Sequence, residues 1–203
     1  MRLFRPGFIA VCLYPEAIFR IKTTDKILFL TFDDGPDPDS TPRLLDILKK
    51  YDIKALFFRN GAAAEKYKYL MDRIRNEGHL TGNHGYNHYN GWRTGYMKYI
   101  DDVTRASSST SDKVFRPPYG RLSHKQYKKL LESYKLIFWD LMAYDFDSTF
   151  GKDRSLRILK EKVRPGSIIV LHDEASSCAN AILEEFIIFS NREGYRFELI
   201  DIM

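Results

Sequence analysis

The chain has 203 residues, of which 44% are hydrophobic, 14% aromatic and 29% charged, and its formal net charge is +5. This length and composition indicate one compact globular domain and exclude an intrinsically disordered chain. The positive charges are scattered among acidic residues without a dense basic run, which is typical of a solvated surface and argues against a nucleic-acid-binding protein.

Residues 1–26 precede the regular pattern and are predicted to form an N-terminal segment that packs on the domain. Arg2 and Arg5 come before a short apolar stretch from Phe8 to Tyr14. This stretch is too short to be a transmembrane segment. It also lacks the length and the small-residue cleavage site of a secretory signal, which favours a cytoplasmic location over export by a degenerate or clipped signal.

From Ile27 to the end of the chain, apolar β-prone runs alternate with amphipathic helical patterns. Strands are predicted at Ile27–Thr31, Lys54–Phe58, Leu80–His84, Val114–Arg116, Lys135–Trp139, Ser167–His172 and Arg196–Ile200. Helices are predicted at Thr41–Tyr51, Ala62–Glu77, Thr94–Ser107, His124–Tyr134, Asp153–Val163 and Ala179–Asn191. Runs such as Ile168–Leu171 are apolar on both faces, as in a parallel sheet covered by helices. The pattern predicts a single barrel-like α/β domain over residues 27–203, with an open doubly wound sheet as the alternative.

Two adjacent carboxylates, Asp33 and Asp34, follow the first predicted strand in the sequence TFDDGP. In a parallel β/α fold, active sites collect at this end of the strands. Burying two carboxylates is costly unless something pairs with them. Asp-Asp-Gly-Pro is also good turn chemistry, so the segment alone is equally compatible with a polar turn.

His84 and His88 follow the third predicted strand and are four residues apart. On a helical turn this spacing places both imidazoles on one face, as coordination of a divalent metal requires. Surface pairs with the same spacing also occur by chance. Together with a carboxylate from another strand end, the pair predicts a metal site of two histidines and one carboxylate with open positions for water.

Three further segments lie at the ends of predicted strands. The double proline in Arg116-Pro117-Pro118-Tyr119-Gly120 stiffens the backbone, and it suits either a rigid connector or a loop that holds an arginine and a main-chain N–H in place. Asp145 and His172 end two other segments. Each of these two alone is more typical of a helix cap or a core histidine.

Taken in order, these five segments resemble the polysaccharide deacetylases of the NodB-homology type, carbohydrate esterase family 4. The resemblance runs from about Ile27 to the end of the chain, and TFDDGP and RPPYG are close to full matches. It implies a distorted (β/α)7-type barrel with one divalent metal ion, zinc in the first place, with cobalt, nickel or manganese as alternatives. The implied reaction removes N-acetyl groups from an amino-sugar polymer or oligosaccharide, peptidoglycan- or chitin-like, by attack of a metal-activated water.

The resemblance also implies a role for each residue that matches a family motif. Asp33 would be the general base and His172 the general acid. Arg116 would position Asp33, and Asp145 would orient and tune His172. The implied metal ligands are Asp34, His84 and His88.

Four residues are implied in substrate binding. The backbone N–H of Tyr119 would stabilise the oxyanion together with the metal. Leu171 would help line the pocket for the acetyl methyl group, beside Pro117 and Phe146. These roles agree with what amide hydrolysis needs, because a bound metal lowers the pKa of water towards about 7 and the amine leaves only when it is protonated.

Two residues depart from the family pattern. Gly85 stands where serine or threonine usually follows the first ligand histidine, which would loosen the ligand loop, and Phe146 replaces the usual tryptophan. No acid, base or ligand is lost, so we expect an active enzyme with altered specificity. The alternatives are an O-acetyl esterase or amidohydrolase that uses the same site, and a non-catalytic glycan-binding relative.

A few residues of interest fall outside these motifs. Cys12 and Cys178 fit no metal or redox spacing and are predicted to be two buried thiols rather than a disulfide. Trp92 is a candidate for stacking on a sugar ring, although exposed aromatic residues more often serve packing. His79 and His124 are predicted to be ordinary surface residues.

Overall fold

The computed structural model of the chain describes residues 2–111 and 113–201. Within these residues the strands are β1 (Ile27–Asp33), β2 (Leu56–Arg59), β3 (Leu80–Asn83), β4 (Val114–Phe115), β5 (Lys135–Leu136), β6 (Leu141–Met142), β7 (Ile168–His172) and β8 (Arg196–Phe197). The α-helices are α1 (Phe8–Leu13), α2 (Thr41–Lys50), α3 (Gly61–Lys66), α4 (Lys68–Asn76), α5 (Tyr96–Ser107), α6 (His124–Leu131), α7 (Lys152–Lys162) and α8 (Ala179–Arg192). Short 3₁₀ turns cover Gly91–Arg93 and Pro118–Gly120.

The strands form one curled parallel sheet with the order β5-β4-β3-β2-β1-β7-β6, and β8 pairs with β1. All of these pairings are parallel. Helix α8 packs against both α2 and α7, and these helices cover one face of the sheet. The predicted α/β class and the distorted (β/α)7-type barrel in a single domain are therefore confirmed.

The central strand β1 is buried on both faces along its whole length. Alternate side chains enter different clusters, because successive residues of a strand point to opposite faces. Leu28 and Leu30 pack with the helices, whereas Ile27 and Phe29 pack with residues of other strands inside the barrel. Asp33 continues this interior row, so the strand's own periodicity directs its carboxylate into the barrel at the carboxyl end of the sheet.

The N-terminal segment contacts two distant parts of the sheet. Ile18 pairs in parallel with Ile137, just after β5, and Arg20 pairs antiparallel with Ser167, just before β7. By contrast, α1 buries none of its six residues. Cys12 on this helix is exposed and Cys178 is half-buried, and both are free thiols. The prediction of two buried thiols was therefore wrong for Cys12, because α1 lies on the surface.

Two predicted elements are divided in the structure. The predicted strand Lys135–Trp139 is paired as β5 only up to Leu136. Ile137 N still donates to Phe115 O at 3.0 Å, but beyond this point the carbonyl oxygens of Ile137 and Phe138 accept hydrogen bonds from the side chain of Arg116. The predicted helix Ala62–Glu77 is broken at Tyr67, whose backbone has φ −115° and ψ 52°. This break places Tyr67 on the wall of the groove described below.

His79 is buried, which corrects the prediction of a surface residue. Its Nδ1 accepts a hydrogen bond from Ala55 N at 3.1 Å, and its ring packs edge-on against Phe57. Burial lowers the pKa of His79 to about 4, so this histidine is a neutral part of the core. None of the helices within residues 2–111 and 113–201 combines the length and apolar character needed to cross a bilayer.

Candidate active site

Asp33 is held at the carboxyl end of β1 by a buried arginine. Its side chain is only 6% exposed, and Oδ1 accepts a hydrogen bond of 2.6 Å from Nη1 of the fully buried Arg116. The same Nη1 donates to Thr31 Oγ1 at 2.8 Å. Thr31 and Asp33 lie on one face of β1, two residues apart, so one guanidinium nitrogen reaches both. Asp33 Oδ2 remains available for other partners.

Asp34, His84 and His88 bring one carboxylate and two imidazoles to the same point. One ligand atom from each lies within 4.8 Å of the others. Asp34 Oδ1 is 3.2 Å from His88 Nε2 and 3.9 Å from His84 Nε2. The structure thus brings together the three residues that the sequence predicted as metal ligands.

These three residues fit a divalent ion such as zinc, which favours nitrogen and carboxylate ligands. His84 Nδ1 is 2.7 Å from the carbonyl oxygen of Arg116. Because a carbonyl only accepts, Nδ1 is the protonated nitrogen and Nε2 directs its lone pair towards Asp34. Burial lowers the pKa of His84 to about 4, so the ring is neutral, as a metal ligand must be. Burial raises the pKa of Asp34, but the surrounding imidazoles outweigh it and the net pKa is lowered.

The segment that joins the two histidines is a loop and not the helical turn considered from their spacing. His84 directly follows β3, and His88 has a positive φ of 57°. The buried carboxylate of Asp102 on α5 holds this loop, because it accepts hydrogen bonds from Tyr86 N at 2.8 Å and from Asn87 Nδ2 at 2.6 Å. Asp102 therefore fixes the loop from outside, where the family pattern has a hydroxyl at the position of Gly85.

His172 lies beside Asp33 in the sheet, since these two residues are paired in register between β7 and β1. Asp145 binds His172 twice: Oδ2 accepts from His172 N at 2.7 Å, and Oδ1 is 3.0 Å from Nδ1. Burial alone lowers the pKa of His172, but the Asp145 carboxylate outweighs it and the net pKa rises to about 9. His172 is therefore a cationic acid at neutral pH, with Asp145 fixing its orientation.

These side chains open onto a groove of about 1000 Å³. The groove is lined by Asp33, Asp34, His84, His88, His172, Pro117, Tyr119 and Phe146. Two predicted site residues, Arg116 and Asp145, lie behind the residues they bind. Leu171 is fully buried in the core and is not among the residues that line the groove.

Tyr119, in the 3₁₀ turn Pro118–Gly120, lines the groove, and its ring lies 4.7 Å from that of His88. The hydrogen bonds of this 3₁₀ turn begin with Gly120 N, which donates to Pro117 O at 2.9 Å, so the turn itself does not use the N–H of Tyr119. Five described non-glycine residues have positive φ, and four of them line the groove: Asp34, His88, Tyr119 and Tyr144. Backbone strain of this kind is typical of functional sites.

A second buried arginine supports the loop that follows Asp33. Arg59, at the end of β2, donates from Nη1 to Asp173 Oδ2 at 2.7 Å and to the carbonyl oxygen of Asp34 at 2.8 Å. Both charged side chains are fully buried. Gly35 packs so closely on this pair that an added Cβ would lie 2.2 Å from Arg59 Nη1.

Sequence reasoning missed the roles of Arg59, Asp173 and Asp102. An arginine that follows an apolar strand was the available signal, because a charge at such a position needs a partner.

The chain is similar to polysaccharide deacetylases. The family model described as "Polysaccharide deacetylase" matches residues 20–137. A peptidoglycan-N-acetylglucosamine deacetylase of Bacillus cereus is 35% identical over 150 residues, which cover 70% of this chain and 54% of that relative. This chain thus spans about half the length of that protein.

Two further comparisons extend over most of the chain. The peptidoglycan-N-acetylmuramic acid deacetylase PdaA of Bacillus subtilis is 29% identical over 202 residues, covering 92% of this chain and 74% of that relative. The crystal structure of the Bc1960 peptidoglycan N-acetylglucosamine deacetylase superposes with a TM-score of 0.87 at 29% identity, covering 96% of this chain and 95% of that one. The similarity therefore extends over nearly the whole fold.

Proposed function

The chain belongs to the polysaccharide deacetylase family, carbohydrate esterase family 4, and from this premise we propose that it removes N-acetyl groups from an amino-sugar polymer or its oligosaccharides. The observation that carries the proposal is the convergence of three sets of residues on one groove. They are a potential metal-binding triad, a carboxylate with its own arginine, and a histidine with its own carboxylate.

We infer that Asp34, His84 and His88 hold one divalent ion, and that their two nitrogens and one oxygen favour zinc. When bound, such an ion lowers the pKa of water towards about 7 and stabilises the oxyanion of the tetrahedral intermediate. The neutral His84 ring and the anionic Asp34 support this assignment, because both are in the protonation state of a ligand without further change.

In this proposal Asp33 accepts the proton of the attacking water. Its Oδ1 is bound to Arg116, and its free Oδ2 lies 3.9 Å from His84 Nε2, on the side of the triad. Arg116 fixes the direction of the carboxylate, which is the orientation that proton transfer requires.

His172 then donates its proton to the sugar nitrogen as the carbon–nitrogen bond breaks. The products are acetate and a free amino group on the sugar. A pKa of about 9 keeps His172 protonated at neutral pH, and the Phe146 ring at 4.6 Å shields it on the groove side. The Tyr119 N–H supplies an additional donor for the oxyanion.

The size of the groove supports an oligosaccharide substrate, because about 1000 Å³ is at the upper end of small-molecule pockets. The names of the similar proteins favour peptidoglycan-type amino sugars. We therefore propose an N-acetylated glycan as the substrate, with the sugar nitrogen as the site of cleavage.

Acetate release tests the proposal. The zinc-loaded protein is incubated with N-acetylglucosamine oligomers, peptidoglycan fragments and O-acetylated xylan in parallel. We expect release from an N-acetylated glycan. Release from xylan alone would show an O-acetyl esterase, and a zinc-loaded protein that releases no acetate from any substrate would be a non-catalytic relative.

A further inference from the structure

The wall of the groove contains two arginines that differ in their partners. Arg5 is bound to the Asp140 carboxylate at 2.7 Å. Arg121 also lines the groove, yet no carboxylate within residues 2–111 and 113–201 forms an ion pair with it. Its guanidinium is thus an uncompensated positive charge on the wall of the substrate groove.

Arg121 is held in place by an aromatic platform. Its guanidinium carbon lies 4.9 Å from the centre of the Trp92 ring. Trp92 is fixed in turn, because its Nε1 donates to Leu122 O at 2.9 Å and its backbone N donates to Asn90 Oδ1 at 3.0 Å. A cation stacked on an indole is oriented before a ligand arrives, so it loses little conformational freedom on binding.

The backbone around Arg121 is equally constrained. A Cβ added to Gly91 would lie 2.3 Å from the carbonyl oxygen of Arg121, so the Trp92 turn packs directly on this residue. Arg121 N donates to Pro118 O at the end of the Tyr119 turn. Arg121 therefore belongs to the same constrained loop as the Tyr119 N–H and lines the same groove.

We propose that Arg121 binds a carboxylate carried by the glycan and that the groove selects N-acetylated sugars with such a substituent over neutral ones. The inference rests on the proposed deacetylase function and deepens it. The planar fork of a guanidinium matches a carboxylate with two parallel hydrogen bonds. In a peptidoglycan-type glycan, the lactyl ether of N-acetylmuramic acid supplies a carboxylate on the sugar itself, and we assign it as the ligand.

Four substrates separate the possible sources of the carboxylate. They are chitotetraose, which is neutral; peptide-free peptidoglycan strands, whose carboxylates are the lactyl groups; the same strands after amidation of those groups; and strands that retain their peptides. The kcat/KM for acetate release is measured on each with wild-type protein, Arg121→Gln and Arg121→Lys. Arg93→Gln is the control, because Arg93 is an exposed residue of the same turn as Trp92 and does not line the groove.

For wild-type protein we expect amidation of the peptide-free strands to lower kcat/KM about tenfold, mainly because KM rises. This is the size of effect that follows from loss of one partly solvated, hydrogen-bonded charge pair. Arg121→Gln should reduce the ratio of kcat/KM for intact strands to that for amidated strands about tenfold. Arg121→Lys should restore part of this ratio. Arg93→Gln should keep the wild-type ratio. A preference that Arg121→Gln removes only from peptide-bearing strands would overturn the lactyl carboxylate as the ligand and assign the contact to the peptide.

The inference is overturned if Arg121→Gln leaves the ratio of intact to amidated strands unchanged. Titration of the same strands into each protein by calorimetry repeats the comparison without turnover. A wild-type protein that binds intact strands more tightly but releases no acetate would thus refute the proposed activity and not the Arg121 site.

Discussion

Two fully buried arginines flank the carboxylate pair at the end of β1, and they use their donors differently. Both are stacked on a phenylalanine, Arg116 on Phe58 at 4.2 Å and Arg59 on Phe57 at 4.4 Å. Every nitrogen of Arg116 is hydrogen-bonded, with two of the bonds going to main-chain carbonyls beyond β5. Arg59 donates side-chain hydrogen bonds through Nη1, and its Nε and Nη2 have no hydrogen-bond partner among residues 2–111 and 113–201.

This difference indicates that Arg116 acts on a reacting group and that Arg59 has a structural role. Arg116 binds the side chain of Asp33, the residue proposed to accept a proton, so its guanidinium acts on the reacting group. Arg59 binds the backbone of Asp34 and pairs with Asp173, so it fixes the loop that presents a ligand. The Arg116 region should therefore respond to mutation mainly in turnover and the Arg59 region mainly in stability.

The largest effect is expected from Asp33→Asn. The amide keeps an oxygen for Arg116 but cannot take a proton from water, so kcat should fall about 10²–10⁴-fold. Zinc affinity should change little, because Asp34 and both histidines remain. Acetate release and a zinc titration measure the two properties, and an unchanged kcat would remove Asp33 from the mechanism.

On the Arg59 side, Arg59→Met leaves the Asp173 carboxylate buried without its cation. This should lower the free energy of unfolding by about 3–5 kcal/mol. Burial already raises the pKa of Asp173 against the influence of Arg59, so part of the loss should be relieved at low pH, where the carboxyl is protonated.

The double variant Arg59→Met/Asp173→Asn sharpens this test. It removes both buried charges and should recover most of the lost stability, as replacement of whole buried ion pairs often does. Denaturant unfolding of the single and double variants measures the difference. If the double variant is no more stable than Arg59→Met, then hydrogen-bond geometry, and not charge, accounts for the lost free energy of unfolding.

A smaller effect, confined to the pH profile, is expected from Asp145→Asn. His172 must be protonated to act as an acid, and with its pKa at about 9 the activity should fall only above that pH. Without the Asp145 charge, burial lowers the pKa, so the alkaline limb should move towards neutral pH. Asp147→Asn is the control, because Asp147 lies on the same segment but pairs with Arg2 and not with His172. An alkaline limb at the same pH in Asp145→Asn would contradict His172 as the acid.

The smallest effect is expected from Asp102→Asn, because this buried carboxylate binds the His84–His88 loop and does not line the groove. Loss of its charge weakens the hydrogen bonds to Tyr86 and Asn87, which should cost about 1–3 kcal/mol of stability. Zinc affinity should fall severalfold through the His88 loop. Asp101→Asn, exposed on the same helix, should match wild type in thermal unfolding and zinc titration.

Features that depend on residues close together in the sequence were predictable, whereas features that depend on contacts between distant residues were not. The alternation of apolar and amphipathic runs predicted an α/β fold, and the motifs that contain Asp34, His84 and His172 predicted residues that meet at the groove. The proposed roles of these residues are not tested by their positions alone. Burial of His79 and the pairing of Arg59 with Asp173, which is 114 residues away, depend on contacts that no local pattern contains.

The His84–His88 loop shows the same limit at short range. The four-residue spacing predicted that the two imidazoles would be neighbours, which they are, but the prediction assumed a helical turn. The actual loop conformation depends on hydrogen bonds to Asp102, which belongs to a later helix. Likewise, the apolar run after Lys135 predicted one strand. In the structure that strand ends early, and the carbonyl oxygens of Ile137 and Phe138 bind the side chain of Arg116 instead of another strand.

Zinc binding to chelator-treated protein tests the central assignment most directly. Calorimetric titration of wild-type protein should show one zinc ion per chain, and Asp34→Ala should lose this binding, with acetate release returning in proportion to the zinc bound by the wild type. Binding that is equally tight in Asp34→Ala, or full acetate release by the zinc-free protein, would contradict it.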